Sequence, residues 1–183
     1  MSKQLLIPVL MILACGWPSV HASAQKTAAK NTAINEAAIT SIRSEFKRIN
    51  SAKLRIKEVN YEAAACADGG RVQYFYEGKD IVKIIETGSI GDGSWTREFY
   101  YQKGKFIFSY DVIVGMSADG QDSKIEHRLY VREGKIVRYM EDQKEIAPDS
   151  SAEHDVTVAD NLIELLNSNM HPTTAELVKV LCE

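Results

Sequence analysis

Tyr76-Glu77-Gly78-Lys79, Lys103-Gly104-Lys105-Phe106 and Glu133-Gly134-Lys135-Ile136 are three versions of one pattern, and their reading decides the fold. In each, an aromatic or β-branched run meets a Gly-Lys pair and a second such run follows. The flanks are 71–76 with 80–86, 95–102 with 106–114, and 125–131 with 136–140. Two β-rich runs joined by a short Gly-containing connection read as a hairpin. A glycine closing the connection takes φ > 0, as a type I turn with a G1 bulge requires. Three such hairpins in series predict a six-stranded antiparallel meander. Leu54 to Tyr61 alternates loosely and fits a seventh, edge strand or a continuation of the preceding helix, with the strand favoured.

Outward from the turns, the strands carry apolar residues on both faces. Val72, Tyr74 and Tyr76 oppose Phe75; Trp95, Phe99 and Tyr101 oppose Tyr100; Phe106 through Val114 alternate strictly against Ile107, Ser109, Asp111 and Ile113. Such strands leave neither face fully wet. Helices are expected over one face, with the other closed by curvature, by a partner strand or by something outside the chain. All aromatics except Trp17, Phe46 and Tyr61 lie between Tyr74 and Tyr139, which puts the core in the sheet. Thr87 to Gly93 reads as a loop, Asp68-Gly69-Gly70 as a turn, and Gly115 to Lys124 as the longest polar gap.

Two helical patterns flank the sheet. Ile39, Ile42, Phe46 and Ile49 form one amphipathic stripe. After Pro148, Ser150 to Glu153 has capping-box spacing, and Val156, Ala159, Ile163 and Leu166 continue at helical period. Thr173 to Leu181 reads as a short last helix. The predicted class is α+β, with an N-terminal helix and one or two C-terminal helices.

Residues 1–24 have the order of a secretory signal: Lys3, an apolar stretch from Leu5 to Leu13, and Ala22-Ser23-Ala24, so cleavage is expected between Ala24 and Gln25. The alternative is lipidation at Cys15, since Ile12-Leu13-Ala14-Cys15 resembles a lipobox. Residues 25–32 read as a disordered leader and 33–183 as a single domain. The apolar stretch falls short of the roughly 20 residues a membrane span needs, and no later segment reaches it. The chain is therefore read as exported, periplasmic or secreted, with a lipid-anchored envelope form as the alternative. Past the signal only Cys66 and Cys182 remain, a candidate disulfide in an exported protein.

Gly69-Gly70 followed by Tyr74-Phe75-Tyr76-Glu77-Gly78-Lys79, then Glu98-Phe99-Tyr100-Tyr101 before Gly104-Lys105, then 126–130 before Gly134-Lys135-Ile136-Val137-Arg138, resembles a group of exported bacterial proteins without an assigned activity. They share a helix, a GG turn and a hairpin series of this kind. The resemblance covers residues 39–141 and implies compartment and architecture only.

Catalytic templates are missing. No G-x-S-x-G, H-E-x-x-H or C-x-x-C occurs. Gly88-Ser89-Ile90-Gly91-Asp92-Gly93 lacks the Lys-Ser/Thr pair of a phosphate cradle and joins two strands instead of opening a helix. His127, His154 and His171 stand apart, and His127 reads as a satisfied histidine in a half-buried face. Asp92, Asp119 and Asp122 fit turns without a metal. No cofactor and no metal are expected, and a net charge of −3 gives no footprint for nucleic acid. What is left is a binding surface for an unidentified protein or small ligand, drawn from Trp95, Arg97, Tyr100, Arg128, Tyr130 and Tyr139. The same aromatics also fit the core or rim of a curled sheet. The leading expectation is a non-enzymatic envelope module. The alternatives are a secreted inhibitor using the 115–124 loop, or a hydrolase built on scattered carboxylates such as Asp111 and Glu98.

Overall fold

The computed structural model describes residues 21–63, 66–116 and 120–182, and residues 35–183 form one compact unit. Helix α1 (His21–Ser51) leads into eight strands: β1 (Arg55–Ala63), β2 (Ala67–Glu77), β3 (Asp80–Ile90), β4 (Gly93–Gln102), β5 (Lys105–Met116), β6 (Asp122–Arg132), β7 (Lys135–Glu141) and β8 (Lys144–Ile146). Helices α2 (Ser150–Ser168) and α3 (Thr174–Cys182) follow. All eight strands form one antiparallel sheet in sequence order. The expected class holds, and the strand count is eight where six or seven were expected: β1 is the extra edge strand, and β8 was not foreseen. The stretch 25–32, expected to be a disordered leader, runs as helical backbone within α1.

The three Gly-Lys reversals are where the sequence puts them, with tighter geometry. Lys103-Gly104 and Glu133-Gly134 are two-residue turns with positive φ at both positions (53° and 73°; 53° and 72°). That is the type I′ hairpin, whose twist matches the flanking strands, in place of the three-residue turn expected. A bulge follows each of the three turns, where register shifts by one residue opposite Phe75/Tyr76, Tyr100/Tyr101 and Tyr130/Val131. The extra residue breaks the strict alternation expected along β5. Tyr101 pairs with Phe106 and Tyr100 with Phe108, so Phe106 and Phe108 enter different cores.

Two cores result, one per face. On the first, Tyr74, Ile84, Phe99, Tyr101, Phe106 and Leu129 pack against Leu162, Leu166 and Leu177 of α2 and α3. The Tyr101 hydroxyl donates to the Ala159 carbonyl of α2 at 2.8 Å. On the second, Ile39, Ile42, Phe46 and Ile49 of α1 lie on Val82, Tyr100, Phe108 and Tyr130. The chain thus lays helices of its own on both faces.

Local signals end the elements. Asp149, not Ser150, caps α2, its carboxylate accepting from Ala152 N at 3.0 Å. Thr173 and Glu176 cap α3 reciprocally, Glu176 N donating to Thr173 Oγ1 and Thr173 N to Glu176 Oε2. The loop expected at 87–93 shrinks to Gly91-Asp92, because Thr87 to Ile90 continue β3. The Gly69-Gly70 turn is absent: both residues lie inside β2. Cys66 and Cys182 stand at disulfide distance, their Cα atoms 5.8 Å apart, joining the entry to β2 with the end of α3.

Candidate functional site

Helix α1 meets the sheet over most of its stripe but leaves a groove of about 310 Å³ at one flank, lined by Ile42, Arg43, Phe46, Lys47, Phe108, Tyr110, Arg128 and Tyr130. The helical period that turns Ile42 and the half-buried Phe46 toward the sheet sets Arg43 and Lys47 one turn apart at the rim. The strand period puts Phe108, Tyr110, Arg128 and Tyr130 on the floor, where Phe108 pairs with Tyr130 and Tyr110 with Arg128. The rings are in contact: Phe46–Phe108 centroids are 5.5 Å apart and edge-on, Phe108–Tyr130 4.9 Å. The Arg43 guanidinium carbon lies 5.6 Å from the Tyr130 ring centre, and that of Arg128 lies 5.1 Å from Tyr110. Arg128 is held by Glu126 and the Asp142 carbonyl. Lys124, first among its partners, holds the Glu126 carboxyl down at about 2.

Beside the groove, a second polar cluster anchors α1. Lys83, only 8% exposed, pairs with Glu98 at 2.7 Å and donates to Asn50 Oδ1 at 3.0 Å. The Tyr100 hydroxyl donates to Glu98 and accepts from Asn50 Nδ2. Burial, then the bond to Glu98, push that phenol well above its ordinary value. Lys83, Glu98, Tyr100 and Asn50 each have a partner within the cluster, which fixes the end of α1 to the sheet.

The opposite face carries a row of ionisable groups in direct cross-strand register: Glu86, Arg97, Asp111, His127 and Glu141 on β3 to β7. Glu86 is 1% exposed and accepts from the Trp95 indole at 2.7 and 2.8 Å and from the Tyr61 hydroxyl. Arg97 Nε is 3.7 Å from it. Asp111, 4% exposed, faces Asp155 of α2. Burial first, then the charge of Asp155 and a hydrogen bond to it, push the Asp111 carboxyl well above the aspartate range, with Arg97 opposing. His127 stacks on Tyr139 at 5.6 Å, its Nε2 3.5 Å from Glu141. Burial, then nearby carboxylates led by Asp149, raise the Tyr139 phenol to about 12.

The six residues expected to share a surface divide between faces. Trp95, Arg97 and Tyr139 belong to the α2 side; Tyr100, Arg128 and Tyr130 to the α1 side. Only Arg128 and Tyr130 line the groove. Ile42, Arg43, Phe46 and Lys47 were missed because the stripe reads as core; the signal available was two cations four apart bracketing an aromatic. Cys15 and Asp119 lie outside the described residues. No family model matches the chain, and neither a curated protein nor a solved structure is significantly similar to it.

Proposed function

We propose that the chain is a non-enzymatic, exported module of the bacterial envelope that holds a small ligand in the groove between α1 and the sheet. One observation carries the reading: the groove combines an aromatic floor with convergent polar groups, all mounted on a helix and strands instead of loops. Its volume falls within the range of small-molecule pockets, about 300–1,000 Å³. Export is supported by the signal-like order of residues 1–24 and by the Cys66–Cys182 pair. No helix among the described residues is long and apolar enough to cross a membrane.

The hydrolase alternative has one observation in its favour, the Asp111–Asp155 carboxyl pair. Its weakness is access: Asp111 and Asp155 are 4% and 8% exposed where α2 meets the sheet, and Glu98 is committed to Lys83 and Tyr100. Native mass spectrometry of the protein purified from its own envelope tests the binding reading. A retained small molecule, whose removal shifts the Tyr110 and Tyr130 resonances, is expected. A ligand-free mass, with those resonances unmoved by an envelope small-molecule extract, overturns it. The intact mass also separates cleavage before Gln25 from lipidation at Cys15.

A further inference from the structure

The charged residues that line the groove are of one sign, and one carboxylate, Glu126, stands beside Tyr110 and Arg128 at its strand side. Of its eight lining residues three are cationic, Arg43, Lys47 and Arg128, and none is acidic. Arg128 is neutralised by Glu126. Arg43 and Lys47 have no carboxylate partner among the described residues, although other cations of the same layer do. Arg48 is bound by Glu45 and Glu77, and Arg138 by Glu36 and Glu145. The polar contacts of Arg43 are a long bond to the Tyr130 hydroxyl, 3.5 Å, and the ring beneath it. Two unneutralised cations one helical turn apart therefore stand at the mouth of a floor made of Phe46, Phe108, Tyr110 and Tyr130.

Resting on the reading of this groove as the binding site, we infer that its ligand is a free medium-chain fatty acid. The alkyl chain lies on the aromatic floor, and the carboxylate accepts from Arg43 and Lys47 at the rim. A carboxylate there gains charge-assisted hydrogen bonds, whereas a cationic headgroup meets two like charges. The volume, at the low end for small-molecule pockets of about 300–1,000 Å³, suits a single alkyl chain.

The test titrates the full-length protein with decanoate, decanol and decyltrimethylammonium below their micelle concentrations, read by calorimetry and by Tyr110 and Tyr130 resonances. Decanoate is expected to bind about tenfold more tightly than decanol, with the ammonium weakest. Arg43→Gln with Lys47→Gln, both exposed positions, is expected to remove the advantage of decanoate over decanol when the two are compared on the same variant. If decanoate and decanol bind alike and the double variant alters neither, the fatty-acid inference is overturned and the binding groove stands. If none of the probes moves the groove resonances, and envelope extract does not either, both readings are overturned. Decanoate binding only as part of anionic vesicles assigns the two cations to a lipid surface and also overturns the inference.

Discussion

A Cβ added to Gly88 would lie 2.2 Å from Trp95 Cζ2, and one added to Gly70 would lie 2.3 Å from Tyr61 Cζ. Each glycine is the cross-strand partner of the aromatic that lies flat over it, and both aromatics extend across to donate to Glu86. The two glycines are thus the space through which a buried carboxylate receives its donors. This also explains why Gly70 sits in a strand where a turn was expected. Gly88→Ala is predicted to lower stability by about 1–3 kcal/mol in urea denaturation, and to shift the Trp95 indole N–H resonance. An unmoved indole would contradict the account. At Asp111 the prediction concerns pH. Its folded carboxyl titrates above its unfolded one, so the folded chain holds the proton longer and stability falls as pH rises through that window, levelling off above it. Asp111→Asn should therefore gain on the parent as pH rises above the ordinary aspartate range of about 4. Parallel stability curves would refute it. Trp95, Arg97 and Asp111 were legible as residues. The partnership with Asp155 was not, because it depends on how α2 crosses the sheet.

Elements were most legible where one local signal dominates. The Gly-Lys reversals and the α1 stripe follow from backbone sterics and helical period, so they survive any tertiary context. The bulges after each turn were invisible, because inserting Ile107 between Phe106 and Phe108 needs no special residue type. The last stretch of β3 was hidden by Thr87, Gly88 and Ser89, poor strand formers held by pairing with β4. For α1, contact with the second core makes a clean contrast available. Ile49→Ala, at a position 1% exposed, is predicted to cost about 2–5 kcal/mol. Arg43→Gln on the exposed side should stay within about 0.5 kcal/mol. Thermal or urea melts decide both, and equal losses would mean that α1 does not pack through this stripe.

At the scale of the molecule, both helical layers come from the ends of the chain, and the Cys66–Cys182 pair ties the last helix to the sheet's first hairpin region. The 116-residue separation makes that tie effective on the unfolded chain. Cys182→Ala is predicted to cost about 2–5 kcal/mol, measured against the parent by denaturation without reductant, with α3 fraying from β1 in amide exchange. Which helix covers which face was beyond the reach of pattern reasoning. Both faces read as apolar, and only the register after each bulge fixes which aromatics meet which helix.

A ladder in which every rung joins neighbours in the sequence can assemble in the order in which the polypeptide emerges, because no strand waits for a distant mate. The α1 layer is available from the outset, whereas the lid over Tyr74, Phe99 and Leu129 arrives only with the final two helices. A ribosome product stopped at Asp149 should therefore be adhesive on one side alone. It should self-associate or recruit a holdase through that bare side, and adding residues 150–182 in trans as a peptide should relieve it.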